Sequence, residues 1–198
     1  MNLDDTPVTL MEGYTVRSCT REEFREVFAT WGERLVHEDA PVFRFRETYS
    51  DVERELLEPL AAAMESLWPL YLLVEKDGAL AAWHTGSQDA SDTYYMRSSA
   101  VVHEHRRKGI YSALLAYVLA LVRARGFQVV KSRHRVTNNA VIIPKLAAGF
   151  HVSGLQVHDI FGLLVELSMH FNPVRAQVFR YYTQGARLDD TVRRFVDV

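Results

Sequence analysis

Three consecutive cations and a glycine, Arg106, Arg107, Lys108 and Gly109, stand between a strand-like run that ends at Val102 and a long apolar helical pattern. The first turn of a helix has backbone N–H groups without intrahelical acceptors, and the helix dipole adds partial positive charge there. Such a turn is suited to hold a phosphate or pyrophosphate. The sequence therefore predicts that this turn binds a phosphorylated cofactor. We favour this interpretation over a solvated helix start with incidental cations.

The atoms that would bind the diphosphate are mainly backbone atoms. We expect the N–H groups of six successive residues to face it: Arg107, Lys108, Gly109, Ile110, Tyr111 and Ser112. Gly109 permits a close backbone approach because it has no side chain. The side chains of Arg106, Arg107 and Lys108 would add positive charge, and one of them would reach a ribose phosphate.

The elements around this turn follow from apolar periodicity and turn residues. The periodicity indicates a strand, two helices, three strands, a helix, a strand, a helix, two strands and a helical tail. The predicted ranges are 14–19, 21–35, 51–67, 70–75, 79–85, 93–102, 109–125, 128–136, 138–149, 151–158 and 162–171, with a polar loop at 86–92 and a tail from Pro173. This order predicts an α/β (α+β) fold, with a mixed sheet flanked by helices.

Composition limits the class of protein. The chain has 198 residues, 48% hydrophobic content, a formal net charge of −2 and one cysteine, Cys19. We predict one domain over residues 1–171, with a C-terminal helical extension over 172–198 packed on it. The charge does not favour a nucleic-acid partner, and no apolar run is long enough for a membrane span. The acidic start of the chain, Met-Asn-Leu-Asp-Asp, lacks the basic and apolar regions of a signal peptide. We therefore expect a cytoplasmic protein, and the aromatic tail is typical of a packing or homodimer helix.

The turn and a second motif resemble the GNAT superfamily of acyl-CoA-dependent N-acyltransferases. The pyrophosphate motif of that family is Arg/Gln-x-x-Gly-x-Gly/Ala, and it matches Arg106-Arg-Lys-Gly109-Ile-Tyr111, with Val101 in the expected place on the preceding strand. The family often has Asn near the start of the next helix and Gly-Phe at its end. Asn138 lies eleven residues before Gly149-Phe150. The resemblance covers residues 70–170 and implies a central, mostly antiparallel sheet.

The sequence departs from the family at two positions. Tyr111 fills a slot that usually holds Gly or Ala, so its side chain must point away from the phosphates. A tyrosine that often serves the family as general acid would fall at Lys145, so that group is missing here. The lysine at this position favours the interpretation of the chain as a catalytically silent protein.

The resemblance implies acetyl-CoA as cofactor and assigns further residues. The end of the strand around Ser99 and Val101 would splay from its neighbour and pair with the pantetheine arm as an added strand. The N–H near Ser99 would stabilise the oxyanion, an effect of about 3 kcal/mol in comparable sites. Asn138 would bind the pantetheine, or it would simply cap its helix. The base that removes the amine proton stays open between Glu75, His84, Tyr95 and Glu104, with Tyr95 better suited to shape the substrate site.

Two functions follow from these assignments. The first is an N-acetyltransferase that moves an acetyl group from acetyl-CoA to a primary amine, of a small molecule or a peptide, by direct attack in a ternary complex. The alternative is a catalytically silent CoA-binding or acyl-CoA-binding module. A nucleotide-binding protein without acyl chemistry is disfavoured, since neither common Gly-rich nucleotide motif is present.

Other polar clusters in the sequence have plainer interpretations. His103 and His105 lack the spacing of a helical zinc pair, and we predict no metal site. Lys131, Arg133 and Arg135 alternate along a strand. They suit a nucleic acid, a cofactor phosphate or an acidic acceptor as well as they suit carboxylate neighbours within the protein.

Overall fold

The computed structural model describes residues 6–36 and 45–196. These residues form two compact units. The first is drawn from the chain up to Asp89 and from Tyr95–Val118, and the second from Ala90–Tyr94 and Leu119–Val198. The predicted domain boundary at residue 171 stays a prediction.

The first unit carries the strands and helices of the N-terminal half. They are β1 (Val8–Met11), β2 (Tyr14–Ser18), α1 (Arg21–Val36), α2 (Asp51–Glu65), β3 (Pro69–Lys76), β4 (Ala79–Ala90), β5 (Thr93–Val101) and α3 (Ile110–Arg125), the last three of which extend into the second unit. The strand order is β1-β2-β3-β4-β5. Each of the first three pairs is antiparallel.

The second unit carries the C-terminal elements. They are β6 (Val129–Arg135), α4 (Asn139–Ala147), β7 (His151–His158), β8 (Gly162–His170), α5 (Pro173–Gln184) and α6 (Asp190–Arg193). Strand β8 lies between β6 and β7 and pairs antiparallel with both. The predicted mixed fold with mostly antiparallel strands is confirmed.

Helix α1 packs on one side of the sheet of the first unit, which we call the α1 face. Phe24 of the helix joins Leu73 of β3 and Trp83 of β4 in a buried cluster. The helix starts at Arg21 because the Thr20 hydroxyl caps it, accepting the amide hydrogen of Glu23 at 3.1 Å. Alternation along a strand places every second residue of β3 and β4 on this face.

Two parts of the sequence-based assignment are wrong. Strand β1 was not predicted, and the polar loop expected at 86–92 is in large part a continuation of β4 as far as Ala90. Ser87 pairs with Pro69 of β3, and the amide of Gln88 donates to the carbonyl of Trp68 at 2.9 Å. The polar sequence forms a strand there because a neighbouring strand supplies hydrogen-bond partners, which overrides its weak intrinsic preference.

Helix α2 forms where the sequence predicts it, and Ser50 and Glu53 make a capping box at its start. Its apolar residues Leu56, Leu57, Leu60 and Met64 recur at helical spacing and form a stripe. Leu56, Leu60 and Met64 remain exposed by 67%, 64% and 55% of their surface. The helix therefore contributes only part of this stripe to packing within the described residues.

Candidate active site

The turn between β5 and α3 is tied to the sheet at its start. The amide of Val102 donates to the carbonyl of Ala81 on β4 at 2.9 Å. The Nε of Arg106 donates to the carbonyl of Val101 at 3.1 Å. After a short 3-10 helix over His103–His105, the chain therefore reaches α3 from a fixed position.

The backbone of this turn is left-handed at two residues. Arg107 has φ of 60° and Gly109 has φ of 82°. A β-carbon added to Gly109 would meet no atom within 4 Å, so the space beside it is open. Alternation of left- and right-handed residues turns successive N–H groups toward one side and makes a concave anion site. The first amides of α3, those of Ile110, Tyr111 and Ser112, have no intrahelical acceptor.

The charges beside the turn are available to a ligand. Arg107 and Lys108 are exposed. Within residues 6–36 and 45–196, no carboxylate forms an ion pair with either side chain. The turn thus combines open backbone, converging amides and two exposed cations.

Tyr111 is turned into the protein. Its hydroxyl is buried and has no hydrogen-bond partner among the described residues. Burial raises the pKa of this hydroxyl above its usual range. The bulky side chain therefore leaves the exposed side of the turn clear.

Strand β5 is irregular immediately before Ser99. Trp83 and Ser87 share the α1 face, since the pairing of β3 with β4 is regular between them. Ser98 accepts a hydrogen bond from Trp83 Nε1 at 3.4 Å, and Arg97 donates to Ser87 Oγ at 3.1 and 3.2 Å. Two successive residues thus reach one face, which a regular strand does not allow. Such a bulge leaves backbone groups unpaired at that point.

Ser99 and His84 lie together. His84 is fully buried, and its Nδ1 is 2.7 Å from Ser99 Oγ. Neither side chain is on the α1 face, because His84 follows Trp83 and Ser99 follows Ser98 along their strands. The structure brings Ser99 and His84, two of the predicted catalytic residues, into direct contact.

Glu75 and Tyr95 lie elsewhere. The Oε1 of Glu75 accepts from Arg17 Nε at 3.2 Å and from Nη2 at 2.9 Å, and Arg17 also binds Glu23. The ring of Tyr95 lies 6.0 Å from the guanidinium carbon of Arg97. Glu75 and Tyr95 therefore do not form one cluster with Ser99 and His84, and Glu75 belongs to an ion-pair network beside α1.

A cavity of about 700 Å³ opens on the α1 face of the first unit. Its wall combines the loop before α1, the last turns of α2 and three strands. The lining residues are Ser18, Cys19, Thr20, Arg21, Ala61, Met64, Leu67, Pro69, Leu70, Tyr71, Thr85, Gly86, Ser87 and Arg97. Hydroxyls and arginines dominate its polar part, and none of these residues is acidic.

In the second unit, Asn138 is the N-cap residue of α4, as the sequence predicts. Its carbonyl accepts the amide hydrogen of Ile142 at 3.0 Å, and its own amide donates to the carbonyl of Arg135 at 2.9 Å. Its side chain makes no capping hydrogen bond.

Lys145, Ser132 and His134 form a buried polar cluster in the same unit. Lys145 Nζ donates to Ser132 Oγ at 2.6 Å, and His134 Nε2 lies 3.0 Å from the same oxygen. Desolvation lowers the pKa of Lys145 to about 7. Desolvation, and then the charge of Lys145, lower the pKa of His134 to about 3. Both groups are therefore largely neutral in the folded protein above pH 7.

The cations of β6 have a partner within the protein. Arg133 Nε binds Glu166 Oε2 at 3.0 Å, and Lys131 Nζ lies 3.8 Å from Oε1 of the same residue. Glu166 faces Arg133 directly across the β6–β8 pair. For these two residues the carboxylate-neighbour interpretation is the one that the structure supports.

Sequence reasoning missed Arg97 and the burial of Lys145. A signal was present for Arg97, since a single charge stands within the apolar and aromatic strand Thr93–Val101. Lys145 sits in an apolar helix between Pro144 and Leu146, but its burial depends on β6 and could not be read locally.

The described residues contain neither a membrane-spanning helix nor a metal-binding group of side chains. No helix there is long and apolar enough to cross a membrane. No group of three or more His, Cys, Asp or Glu residues in that part of the chain could hold a metal ion.

The chain was compared with known proteins. The model of the acetyltransferase (GNAT) family matches residues 32–143. Among curated proteins, none matches. The fold is similar to that of the ribosomal-protein-S18-alanine N-acetyltransferase of Escherichia coli, with 17% identity, a TM-score of 0.59, and 80% of this chain and 94% of that chain covered.

Two further solved structures share the fold. The protein YncA of Salmonella typhimurium, whose structure holds its cofactor acetyl-CoA, has 16% identity and a TM-score of 0.59, with 81% of this chain and 95% of that chain covered. Ard1 of Thermoplasma volcanium has 16% identity and a TM-score of 0.57, with 80% and 97% covered. At these identities the likeness shows the fold alone.

The buried amine of Lys145 predicts a pH-dependent stability. Its pKa falls from 10.5 in the unfolded chain to about 7 in the folded one. Between those values the unfolded state binds more protons, so stability rises with pH by at most about 1.4 kcal/mol per unit. Lys145→Met should therefore be the more stable protein at pH 7, with its advantage shrinking toward pH 10. Urea denaturation at several pH values measures this.

The half-exposed Lys131 supplies the control. Lys131→Met should track the unsubstituted protein across the whole range, because its amine remains partly in water. Parallel stability curves for the parent and Lys145→Met would show that Lys145 keeps its ordinary proton affinity.

Proposed function

The chain belongs to the acetyltransferase (GNAT) family, and on that premise we propose that it transfers an acetyl group from acetyl-CoA to a primary amine by direct attack in a ternary complex. The amine nitrogen forms a bond to the acetyl carbon, the carbon–sulfur bond breaks, and the proton lost by the amine ends on the released thiol. The observation that carries the proposal is the open, positively charged turn between β5 and α3.

The residues of this turn fit coenzyme A, the cofactor that the family uses. The amides from Arg107 to Ser112 would hold the diphosphate, and the exposed side chains of Arg107 and Lys108 would add charge. Arg106 fixes the turn through its contact with Val101, the strand residue next to the cofactor arm. When bound, acetyl-CoA supplies an activated acetyl thioester.

Ser99 is the residue proposed to act on the acyl group. Its N–H would donate to the acetyl carbonyl oxygen, and the irregularity of β5 just before it leaves backbone groups for such a bond. His84 is a positioning residue that holds the Ser99 side chain from the buried side. Tyr95 shapes the acceptor side together with Arg97, and Glu75 steadies Arg17.

The acceptor is proposed to be a small-molecule or peptide amine. The cavity on the α1 face supports this, since its volume of about 700 Å³ lies within the roughly 300–1,000 Å³ usual for small-ligand pockets. The solved structure of an S18-alanine N-acetyltransferase shows that this fold also serves a protein acceptor in that enzyme.

Free-thiol release from acetyl-CoA with a panel of amines tests the activity. Amine-dependent release supports acetyl transfer. Tight binding of CoA without release for any amine at any pH would leave the silent CoA-binding module, and competition by ATP in place of CoA would contradict both functions.

A charge placed in the turn should abolish cofactor binding. Gly109→Asp puts a carboxylate where the diphosphate is proposed to lie, and we expect CoA affinity to fall by at least about tenfold, measured by calorimetry. Gly78→Asp is the matched control. Gly78 also has positive φ, 79° against 82°, and a β-carbon there also meets nothing within 4 Å. Equal CoA affinities of Gly109→Asp and Gly78→Asp would show that the turn is not part of the CoA site.

The Ser99 amide can be tested apart from its hydroxyl. Ser99→Pro removes the N–H and should lower kcat by about 100-fold or more. Ser99→Ala keeps the N–H, loses only the contact with His84, and should retain most of kcat. Thermal melts and CoA binding verify that each variant is folded. Turnover that survives the proline substitution would place the carbonyl elsewhere.

A further inference from the structure

The cavity on the α1 face carries positive charge without an opposing negative charge in its wall. Arg21 and Arg97 are lining residues, and among the described residues no Asp or Glu lines the cavity. The carboxylates of Glu23 and Glu75, on the same side of the sheet, both engage Arg17, which is not part of the wall. A wall of this sign disfavours a polycation and favours a ligand that bears an anionic group.

Arg97 presents an ordered guanidinium to this cavity. Its Nε and Nη2 both donate to Ser87 Oγ, at 3.2 and 3.1 Å, and its guanidinium carbon lies 6.0 Å from the centre of the Tyr95 ring. These contacts hold one edge of the planar group. Of the described carboxylates, none pairs with Arg97. The other edge, formed by Nη1 and Nη2, therefore keeps two parallel N–H groups, which match the two oxygens of a carboxylate.

The position of Arg97 limits the size of the ligand. It lies two residues before Ser99, so the two α-carbons are at most about 7 Å apart. An anionic group at Arg97 would then lie within a few bonds of an amine that attacks beside Ser99. Met64, Leu67 and Leu70 give the cavity an apolar part that suits a side chain.

We propose that the acceptor is a small primary amine that also carries a carboxylate, of the α-amino acid class, and that Arg97 selects it by pairing with that carboxylate. This inference rests on the acetyl transfer proposed above. Ser87 is a positioning residue, because it holds the guanidinium edge that points away from the ligand. The positive wall also favours the neutral form of the bound amine, which is the nucleophilic form.

Binding of reaction products tests the site without any turnover. The probes are N-acetylleucine, N-acetylphenylalanine and N-acetylserine, each compared with its carboxamide by calorimetry on the full chain with CoA present. We expect at least one acid to bind at least about tenfold more tightly than its amide, since a charged hydrogen-bonded pair is lost in the amide. Arg97→Gln should abolish this preference, and Arg97→Lys should restore part of it.

Steady-state kinetics with the free amino acids and their amides give the second measurement. For the preferred acid, Arg97→Gln should raise KM by at least about tenfold with little change in kcat, and it should leave the amide unaffected. Arg54→Gln is the charge-matched control. Arg54 is exposed on α2, pairs with Asp51 and does not line the cavity, so that variant should behave as the parent protein.

The outcomes separate this inference from the proposed function. Equal binding of acid and amide in all three pairs, or a preference that survives Arg97→Gln, overturns the carboxylate site. Selective, Arg97-dependent binding of an acid supports the site even where no amine is acetylated, and in that case the acetyl-transfer proposal is what fails. Acetylation of amides as readily as acids overturns the selectivity while leaving acetyl transfer intact.

Discussion

The hydrogen bond from the Val102 amide to the Ala81 carbonyl fixes the point at which β5 passes the chain to α3. A diphosphate is held mainly by backbone amides, and backbone amides bind well only when their directions are set before the ligand arrives. The contact of Arg106 with Val101 adds a second tie at the same place. Between these ties and the first turn of α3, the left-handed residues Arg107 and Gly109 direct the chain. The proposed cofactor site, and with it the acyl chemistry, depends on this anchored turn.

In the first unit, two groups of polar side chains lie on opposite faces of the sheet. His84 and Ser99 contact each other on the side away from α1, where His84 is fully buried. Arg97, Ser87 and the hydroxyl groups of the cavity lie on the α1 face, exposed to a space that a small ligand can fill. The irregularity between Arg97 and Ser98 makes this separation possible, because it changes which face the following residues occupy. Residues that hold the acyl group and residues that select the acceptor can thus be neighbours along one strand.

Several charged side chains among the described residues are compensated by ion pairs within the protein. Arg17 is balanced by two glutamates, and Glu166 serves Arg133 and Lys131. Exposed pairs of this kind contribute little to stability. Lys145 is a different case, because its burial, and not an ion pair with a carboxylate, governs its protonation. Burial lowers its pKa, so that a neutral amine can lie in the interior. The exposed cations Arg107 and Lys108 of the turn and Arg97 of the cavity are the ones that a ligand can use.

The sequence alone indicated the basic, glycine-containing turn, helices α1 to α4, strands β2 to β8 in their chain order and the resemblance to the acetyltransferase family. These rest on local signals, such as Gly109 before an apolar helix and Thr20 with Glu23 at a helix start, which act within a few residues. Only the tertiary structure decided that Glu75 and His84 are apart, that β4 continues through Ser87, and that Lys145 is buried against Ser132. The physical reason is that facing, strand extension and burial depend on partners distant in the chain. The irregularity between Arg97 and Ser98 in β5, which no local pattern reveals, brings both of these residues to the α1 face.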